Sequence, residues 1–136
     1  MSYIIRTGNL TGPPDLRHDA ESGRPYAFAR VAVNDSAPDE SNEWKTIGTE
    51  FYNLTVRGNS AKNLAEAAAS GGNIRVVFAG YYRVRNYTRQ DGSSATSRDV
   101  RVDQIGVSLL AQTVAVTRPE IGSDEMVDDW RHFAEA

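Results

Sequence analysis

The segment NIRVVFAGYYRVRNYTRQDGS, residues 73–93, carries the clearest structural signal in this 136-residue chain. It opens with an apolar run, alternates large and charged side chains after Gly80, and ends at Gln90-Asp91-Gly92-Ser93, a sequence typical of a hairpin turn. A glycine inside a strand indicates a bulge or a sharp bend, which a small closed barrel requires. We therefore predict a long, bent strand over residues 73–88 that leads into a hairpin.

Side chains of an extended strand alternate between two faces, so the second half of this segment presents a distinctive surface. The residues expected to share one face are Tyr81, Arg83, Arg85, Tyr87 and Arg89. Rings that alternate with guanidinium groups suit a single-stranded nucleic acid, because rings stack on bases and arginines bind phosphates. The competing interpretation is an exposed strand whose long side chains only cover the sheet. Tyr82 lies on the opposite face and is expected to be buried or at an interface.

Further strands are predicted wherever apolar and polar residues alternate. These segments are residues 3–10, 25–34, 49–57 and 97–107. In the second strand, Phe28 and Arg30 lie on the face opposite the small apolar residues. In the third strand, Phe51 and Arg57 lie opposite the apolar face in the same way.

One helix and one long loop complete the expected secondary structure. Residues 61–69 have the apolar spacing of an amphipathic helix that begins after Ser60, a favourable N-cap, and ends at Gly71-Gly72. Residues 35–47 are rich in Ser, Asp, Glu, Asn and Pro and include Trp44, so we predict a mobile loop there.

The order of three strands, one short helix and two strands predicts an all-β fold. It indicates a five-stranded Greek-key barrel of the oligonucleotide-binding (OB) class, with the helix between strands 3 and 4. A layered βαβ sheet would contain more helices, and a β-sandwich would not usually place a helix at this point. We predict that residues 1–111 form this barrel. Residues 112–136 are predicted to be an acidic appendage, either a short helix or disordered.

Composition argues against an enzyme and against a metal site. The chain has no cysteine, which excludes disulfides, thiolate zinc sites and thiol nucleophiles. Its two histidines, His18 and His132, are far apart in the sequence, and Asp99 and Asp103 are too distant along one strand to act as a catalytic pair. The sequence also lacks a phosphate-binding glycine loop and a serine nucleophile motif. We expect no enzymatic activity, no cofactor and no bound metal.

Hydropathy and charge further limit the cellular location and the kinds of partner that can be expected for this protein. No apolar run reaches the ~18 residues of a membrane helix, and the N-terminus lacks the layout of a signal peptide, so a cytoplasmic location is expected. Residues 1–118 carry 14 of the 15 Lys and Arg and 12 of the 18 Asp and Glu, a balance of +2. Residues 119–136 carry one Arg and six acidic residues, a balance of −5. A basic body with an acidic end is compatible with nucleic-acid binding and a partner-facing segment, and also with a solubilising terminus.

Short motifs follow one another from residue 3 to about residue 110. They are Gly8-Asn9-Leu10 with Pro14-Asp15-Leu16-Arg17, Thr49-Glu50-Phe51-Tyr52, Gly58 with Ala61-Lys62-Asn63-Leu64-Ala65-Glu66, Gly80 with Arg83-Val84-Arg85-Asn86-Tyr87-Thr88, and Asp91-Gly92. In this order and spacing they resemble the bacterial single-stranded DNA-binding proteins. The resemblance implies an OB barrel and a homotetramer. It also implies sequence-independent binding and protection of single-stranded DNA in replication, repair or recombination.

The resemblance assigns roles to individual residues. Phe51 and Tyr87 fall where the family has base-stacking tryptophans, and Trp44 lies near a third such position. Arg57 replaces a family phenylalanine, and Tyr52 replaces a histidine often found at the tetramer interface, so a dimer is also considered. The smaller rings predict weaker or more salt-sensitive binding than in the housekeeping members. The side chains expected to contact nucleic acid are Phe51, Tyr87, Arg83, Arg85, Arg57, Arg30, Tyr81, Trp44, Arg89 and Phe28.

The C-terminal end departs from the family pattern. Family members end in a flexible linker and an acidic tip that closes on Pro-Phe and recruits replication and repair enzymes. Here residues 128–133, DDWRHF, are acidic and aromatic but contain no proline, so recruitment of replication or repair proteins through the tail stays open. The alternative function is an OB-fold protein–protein adaptor, similar to a primosomal factor, with weak nucleic-acid binding. The salt dependence of binding separates the two functions.

Overall fold

The computed structural model describes residues 2–118, which form six β-strands and one α-helix. In chain order these are β1 (Ser2–Leu10), β2 (Asp15–His18), β3 (Pro25–Pro38), β4 (Trp44–Arg57), α1 (Asn59–Gly71), β5 (Arg75–Thr88) and β6 (Ser94–Val107). Most of the predicted appendage, from residue 119 onward, lies outside the described residues.

Five of these strands close into a barrel. The strand order is β1-β5-β6-β4-β3-β2, and β1 also pairs with β3 through Asn9–Ala32 and Leu10–Val31. The β4–β6 pair is parallel and the other pairs are antiparallel. The short β2, which sequence patterning did not predict, only extends the edge of β3. The predicted five-stranded barrel is confirmed, and α1 lies between the third and fourth barrel strands, β4 and β5.

Gly80 allows β5 to bend around the barrel. The register between β5 and β6 shifts at Ala79–Gly80, which is the bulge that the sequence predicts. A Cβ atom on Gly80 would overlap the backbone carbonyl of Arg101 on β6, so only glycine permits this approach of the two strands. Gly8 has the same role where β1 crosses β3, because a Cβ atom there would overlap the carbonyl of Ala32.

The core fills the barrel interior and the space under α1. Fully buried side chains from four strands meet there, among them Val31, Leu54, Phe78 and Val100. The helix closes the barrel with the buried residues Ala61, Leu64 and Ala68. Tyr82, expected to be buried or at an interface, is half-buried and packs against this core. Within residues 2–118 no helix has the length and hydropathy needed to cross a membrane.

The prediction of a mobile loop over residues 35–47 is wrong for most of its length. β3 continues to Pro38, β4 begins at Trp44, and the two strands pair along an arm that projects beyond a bulge at Asp35–Ser36. The polar composition of this segment suggested a loop, but the strands are already paired in the barrel and the ladder simply extends outward. Asp39 orders the connecting turn, since its side chain accepts hydrogen bonds from the backbone N–H groups of Ser41 and Glu43.

The start of the helix also differs from the prediction. Helix α1 begins at Asn59, and its N-cap position is Gly58, with φ of 69° and no side-chain capping bond. Ser60 therefore lies inside the first turn instead of capping it. A positive φ favours glycine, which explains why Gly58 is required between β4 and α1.

Candidate nucleic-acid interface

The outward sides of β3, β4, β6 and β5 form one continuous surface, which we call the outer face. Strand register brings four side chains into one row: Arg30 opposes Asn53, Asn53 opposes Asp99, and Asp99 opposes Arg83. Arg30 and Asn53 each stand between two buried neighbours, and Asp99 precedes the buried Val100, so these side chains project away from the core. Arg83 is exposed on β5. The outer face is therefore built by the alternation that the sequence predicts.

Two adjoining clefts lie on the outer face. The first, the arginine cleft, has a volume of about 620 Å³ and is lined by Phe28, Arg30, Asn53, Arg83, Arg85 and Asp99 together with small residues of the β1–β2 connection. The second, the tyrosine cleft, has a volume of about 360 Å³. Its lining includes Arg30, Phe51, Asn53, Tyr87, Arg89 and Arg98. Arg30 and Asn53 line both clefts, so a ligand in one can continue into the other.

Three of the predicted residues lie away from the clefts. Tyr81 is on the outer face but nearer to β1, where its ring meets Tyr3 edge-to-face at 5.2 Å between centroids. Arg57 opposes Tyr26 at one end of the β3–β4 ladder. Trp44 lies on the projecting arm and is 73% exposed. The structure thus brings together Phe28, Arg30, Phe51, Arg83, Arg85, Tyr87 and Arg89.

Two of the rings that line the clefts, Phe51 and Phe28, are paired with arginines. The guanidinium carbon of Arg30 lies 4.3 Å from the ring centroid of Phe51. Arg17 lies 5.4 Å from the ring of Phe28 in the same way. Such cation–π contacts contribute about 0.5–1 kcal/mol at exposed sites and hold the guanidinium beside the ring. A ring and a cation are thereby placed within reach of one nucleotide, the ring for its base and the cation for its phosphate.

Tyr81, which lies outside the two clefts, has the same arrangement. The guanidinium carbon of Arg101 lies 5.4 Å from the ring centroid of Tyr81. Sequence reasoning missed Arg101, and it missed Arg17 on β2 as well. Each of these arginines lies on a different strand from the aromatic ring that it contacts. The contacts therefore depend on the strand register and could not be predicted from residue spacing along one strand.

Asp99 places a carboxylate among the arginines of the first cleft. Its Oδ2 accepts a hydrogen bond from Arg85 Nε at 3.0 Å, and its Oδ1 accepts one from Ser97 Oγ at 2.6 Å. The amide of Asn53 donates to Oδ1 at 3.4 Å. Partial burial raises the pKa of Asp99, but hydrogen bonds from Ser97 and Asn53 and the charge of Arg85 together outweigh burial and lower it. The side chain of Asp99 is therefore ionised, and hydrogen bonds fix its position in the middle of the outer face.

Tyr52, at the position that the resemblance links to a tetramer interface, lies in the core instead. It is 3% exposed, and its hydroxyl donates to Glu50 at 2.9 Å. Burial, followed by the hydrogen bond to Glu50, raises the pKa of Tyr52 to about 12. Its ring contacts Phe78 and Tyr82, each at 5.7 Å between centroids, so Tyr52 packs the end of the barrel. Within residues 2–118, His, Asp and Glu side chains form no group of three that could hold a metal ion.

Comparisons with known proteins agree with this architecture. The model of the single-strand binding protein family matches residues 1–108. The chain is 30% identical over 122 residues to a protein of Paenarthrobacter aurescens named single-stranded DNA-binding protein, covering 90% of this chain and 70% of the relative. It is 35% identical over 118 residues to single-stranded DNA-binding protein 2 of Streptomyces coelicolor, covering 86% of this chain and 58% of the relative.

A solved structure of a related protein has a similar fold. The crystal structure of a small single-stranded DNA-binding protein from Streptomyces coelicolor superposes with a TM-score of 0.67 at 29% sequence identity. The alignment covers 79% of this chain and 94% of that protein's chain. With a family match over most of its length, relatives at 30% identity or more, and a closed barrel of the same fold, this chain belongs to the single-strand binding protein family.

Proposed function

We propose that the outer face binds single-stranded DNA without sequence preference. Bases stack on Phe51, Tyr87 and Phe28, and arginines that line the two clefts neutralise the phosphates. The observation that carries this proposal is the pair of adjoining clefts, in which exposed rings and arginines lie side by side. Stacking accepts any base because every base has a π-face, so sequence preference is expected to be low.

The exposure of the rings favours a single strand over a duplex. Phe28, Phe51 and Tyr87 are 44%, 41% and 49% exposed, so each offers part of a ring surface to a ligand. A duplex hides its base faces by pairing and stacking, and only phosphates would remain for the arginines. We therefore expect duplex DNA to bind weakly and with the salt sensitivity of phosphate contacts alone.

The cellular role and the assembly are part of the same proposal. We infer that the chain protects single strands during replication, repair or recombination in the cytoplasm, and that it acts as a homotetramer or, failing that, as a dimer. The names of the relatives support the binding function, since both curated proteins are named for binding single-stranded DNA. Assembly is tested by sedimentation of the full chain with and without a single strand.

Fluorescence anisotropy with a labelled oligo-dT of about 35 nucleotides tests the binding function. The titration is made at low and moderate salt, with a duplex of equal length as the control ligand. Tight binding to the single strand, weakening linearly in log affinity against log salt, is the expected result. Absence of binding at low salt would refute the proposal and favour a protein–protein adaptor.

A further inference from the structure

The acid at the centre of the arginine cleft has no role in the binding function described above. Asp99 lies between Asn53 of β4 and Arg83 of β5 in the row that crosses the outer face, and it lines the cleft with Arg30 and Arg85. A carboxylate at this position repels every phosphate that the neighbouring arginines attract. Its presence therefore needs a reason beyond packing.

The contacts of Asp99 show that its position is fixed. Ser97, which is 8% exposed, donates to Oδ1, and Arg85 donates to Oδ2, so both carboxylate oxygens are engaged from different sides. The Asp99 side chain keeps 31% of its surface exposed towards solvent, and that of Arg85 keeps 60%. Ion pairs this exposed contribute little to stability, so the pair is better explained by its effect on a ligand.

Arg85 is one of the arginines proposed to bind phosphate, and its Nε is already occupied. A phosphate that approaches Arg85 meets a cation whose charge is largely balanced by Asp99. The same carboxylate tolerates a base, because bases carry no net charge and the N–H groups at their edges can donate hydrogen bonds to it. The centre of the cleft is thus a poor position for a phosphate and an acceptable one for a base.

We propose that Asp99 sets both the affinity and the path of the bound strand. It competes with phosphate for Arg85 and excludes phosphate from the centre of the arginine cleft, so a base lies over Asp99 and the backbone follows the other arginines. Binding is then weaker and less salt-sensitive than the arginines alone would make it. This inference rests on the proposed function, because it assumes that the outer face binds a single strand.

The test compares Asp99→Asn with Asp103→Asn, which removes the same charge elsewhere on β6. Asp103 accepts a hydrogen bond from the Tyr3 hydroxyl at 2.9 Å, on the β1 side of the sheet. In anisotropy titrations with oligo-dT, Asp99→Asn is expected to bind about three- to tenfold tighter at low salt. The slope of log affinity against log salt is expected to steepen by about 0.7, the value for one more neutralised phosphate on a single strand. Asp103→Asn is expected to stay within about twofold of wild type, since exposed charges away from the ligand are screened.

A second comparison separates competition for Arg85 from a general charge effect. Arg85→Ala is expected to weaken binding by a larger factor in the Asp99→Asn protein than in wild type, because Asp99 no longer competes with phosphate for the guanidinium there. If Arg85→Ala weakens binding by the same factor in wild type and in the Asp99→Asn protein, Asp99 does not compete with phosphate for Arg85. An Asp99→Asn protein that binds no tighter than Asp103→Asn would refute the proposal as well. Asp99→Ser, with the same expectations, replaces Asp99→Asn if thermal melting shows that the asparagine variant does not fold. Failure of the wild-type chain to bind oligo-dT would refute the proposed function itself, which is a different result.

Discussion

Replacing Phe51 by alanine is the most direct test of the outer face as a stacking surface. The ring is 41% exposed and lies beneath the guanidinium of Arg30, whose carbon is 4.3 Å from the ring centroid. Alanine removes one stacking platform, worth about 1–3 kcal/mol per base, and also the anchor that holds Arg30, worth about 0.5–1 kcal/mol. We expect a combined loss of roughly 1.5–4 kcal/mol, which is about 10- to 900-fold in Kd.

The same substitution should leave the barrel intact. Phe51 projects from the outer face, whereas its neighbours on β4, Tyr52 and Leu54, project into the core. Partial exposure limits the apolar contacts that alanine removes, so the free energy of unfolding is expected to fall by less than about 1 kcal/mol. Urea denaturation of both proteins measures this change and separates loss of binding from loss of fold.

Two further substitutions at this position isolate the aromatic contribution. Phe51→Leu keeps an apolar side chain of comparable size but removes the ring face, so it should bind nearly as weakly as Phe51→Ala. Phe51→Trp enlarges the ring face and should bind more tightly than wild type. Anisotropy titration with oligo-dT at one salt concentration compares all four proteins. If Phe51→Ala binds within twofold of wild type while remaining folded, the stacking surface is misplaced and the reasoning is refuted.

Three further substitutions, the first with a matched control, test other parts of the structure. Tyr87→Ala should raise the Kd for oligo-dT by about 5- to 150-fold, whereas Val84→Ala, also 49% exposed but on the opposite face of β5, should leave the same titration unchanged. Gly80→Ala should lower the free energy of unfolding by roughly 1–3 kcal/mol, because its Cβ would overlap the β6 backbone; an unshifted urea midpoint would contradict this. The pKa of Tyr52 is raised to about 12 against about 10 when unfolded, so its contribution to stability is complete below pH 10 and lost as pH rises through 12. Tyr52→Phe should remove that alkaline decline in urea melts.

The sequence was sufficient where structure depends on local pattern. Successive side chains of a strand point to opposite faces, so the alternating pattern is enough to show which ones face solvent. On β3, β4 and β5 it assigned Phe28, Phe51 and Tyr87 to the solvent side. The bend at Gly80 could also be predicted, because a glycine amid branched and aromatic residues of a strand indicates a close approach of two backbone segments.

Features that depend on pairing between distant segments were missed. The arm formed by the ends of β3 and β4 is polar, and only its continuity with the barrel ladder makes it a hairpin. From the sequence, Asp99 was considered only with Asp103, which is too distant along the strand to form a catalytic pair with it. Its true partners, Asn53 and Arg85, come from other strands through the parallel β4–β6 and antiparallel β5–β6 registers. No spacing within β6 predicts those contacts.

The pairing of rings with arginines changes how the smaller rings of this chain should be interpreted. Phenylalanine and tyrosine offer less stacking area than tryptophan, which from the sequence alone indicates weaker binding. In the structure, Phe51 and Phe28 each carry an arginine held by a cation–π contact, so the area beside each of these rings is extended by a planar guanidinium. We expect part of the affinity lost in stacking to be recovered through phosphate neutralisation, which is sensitive to salt. The difference from any family member with tryptophan at these positions should therefore be small at low salt and grow as salt increases.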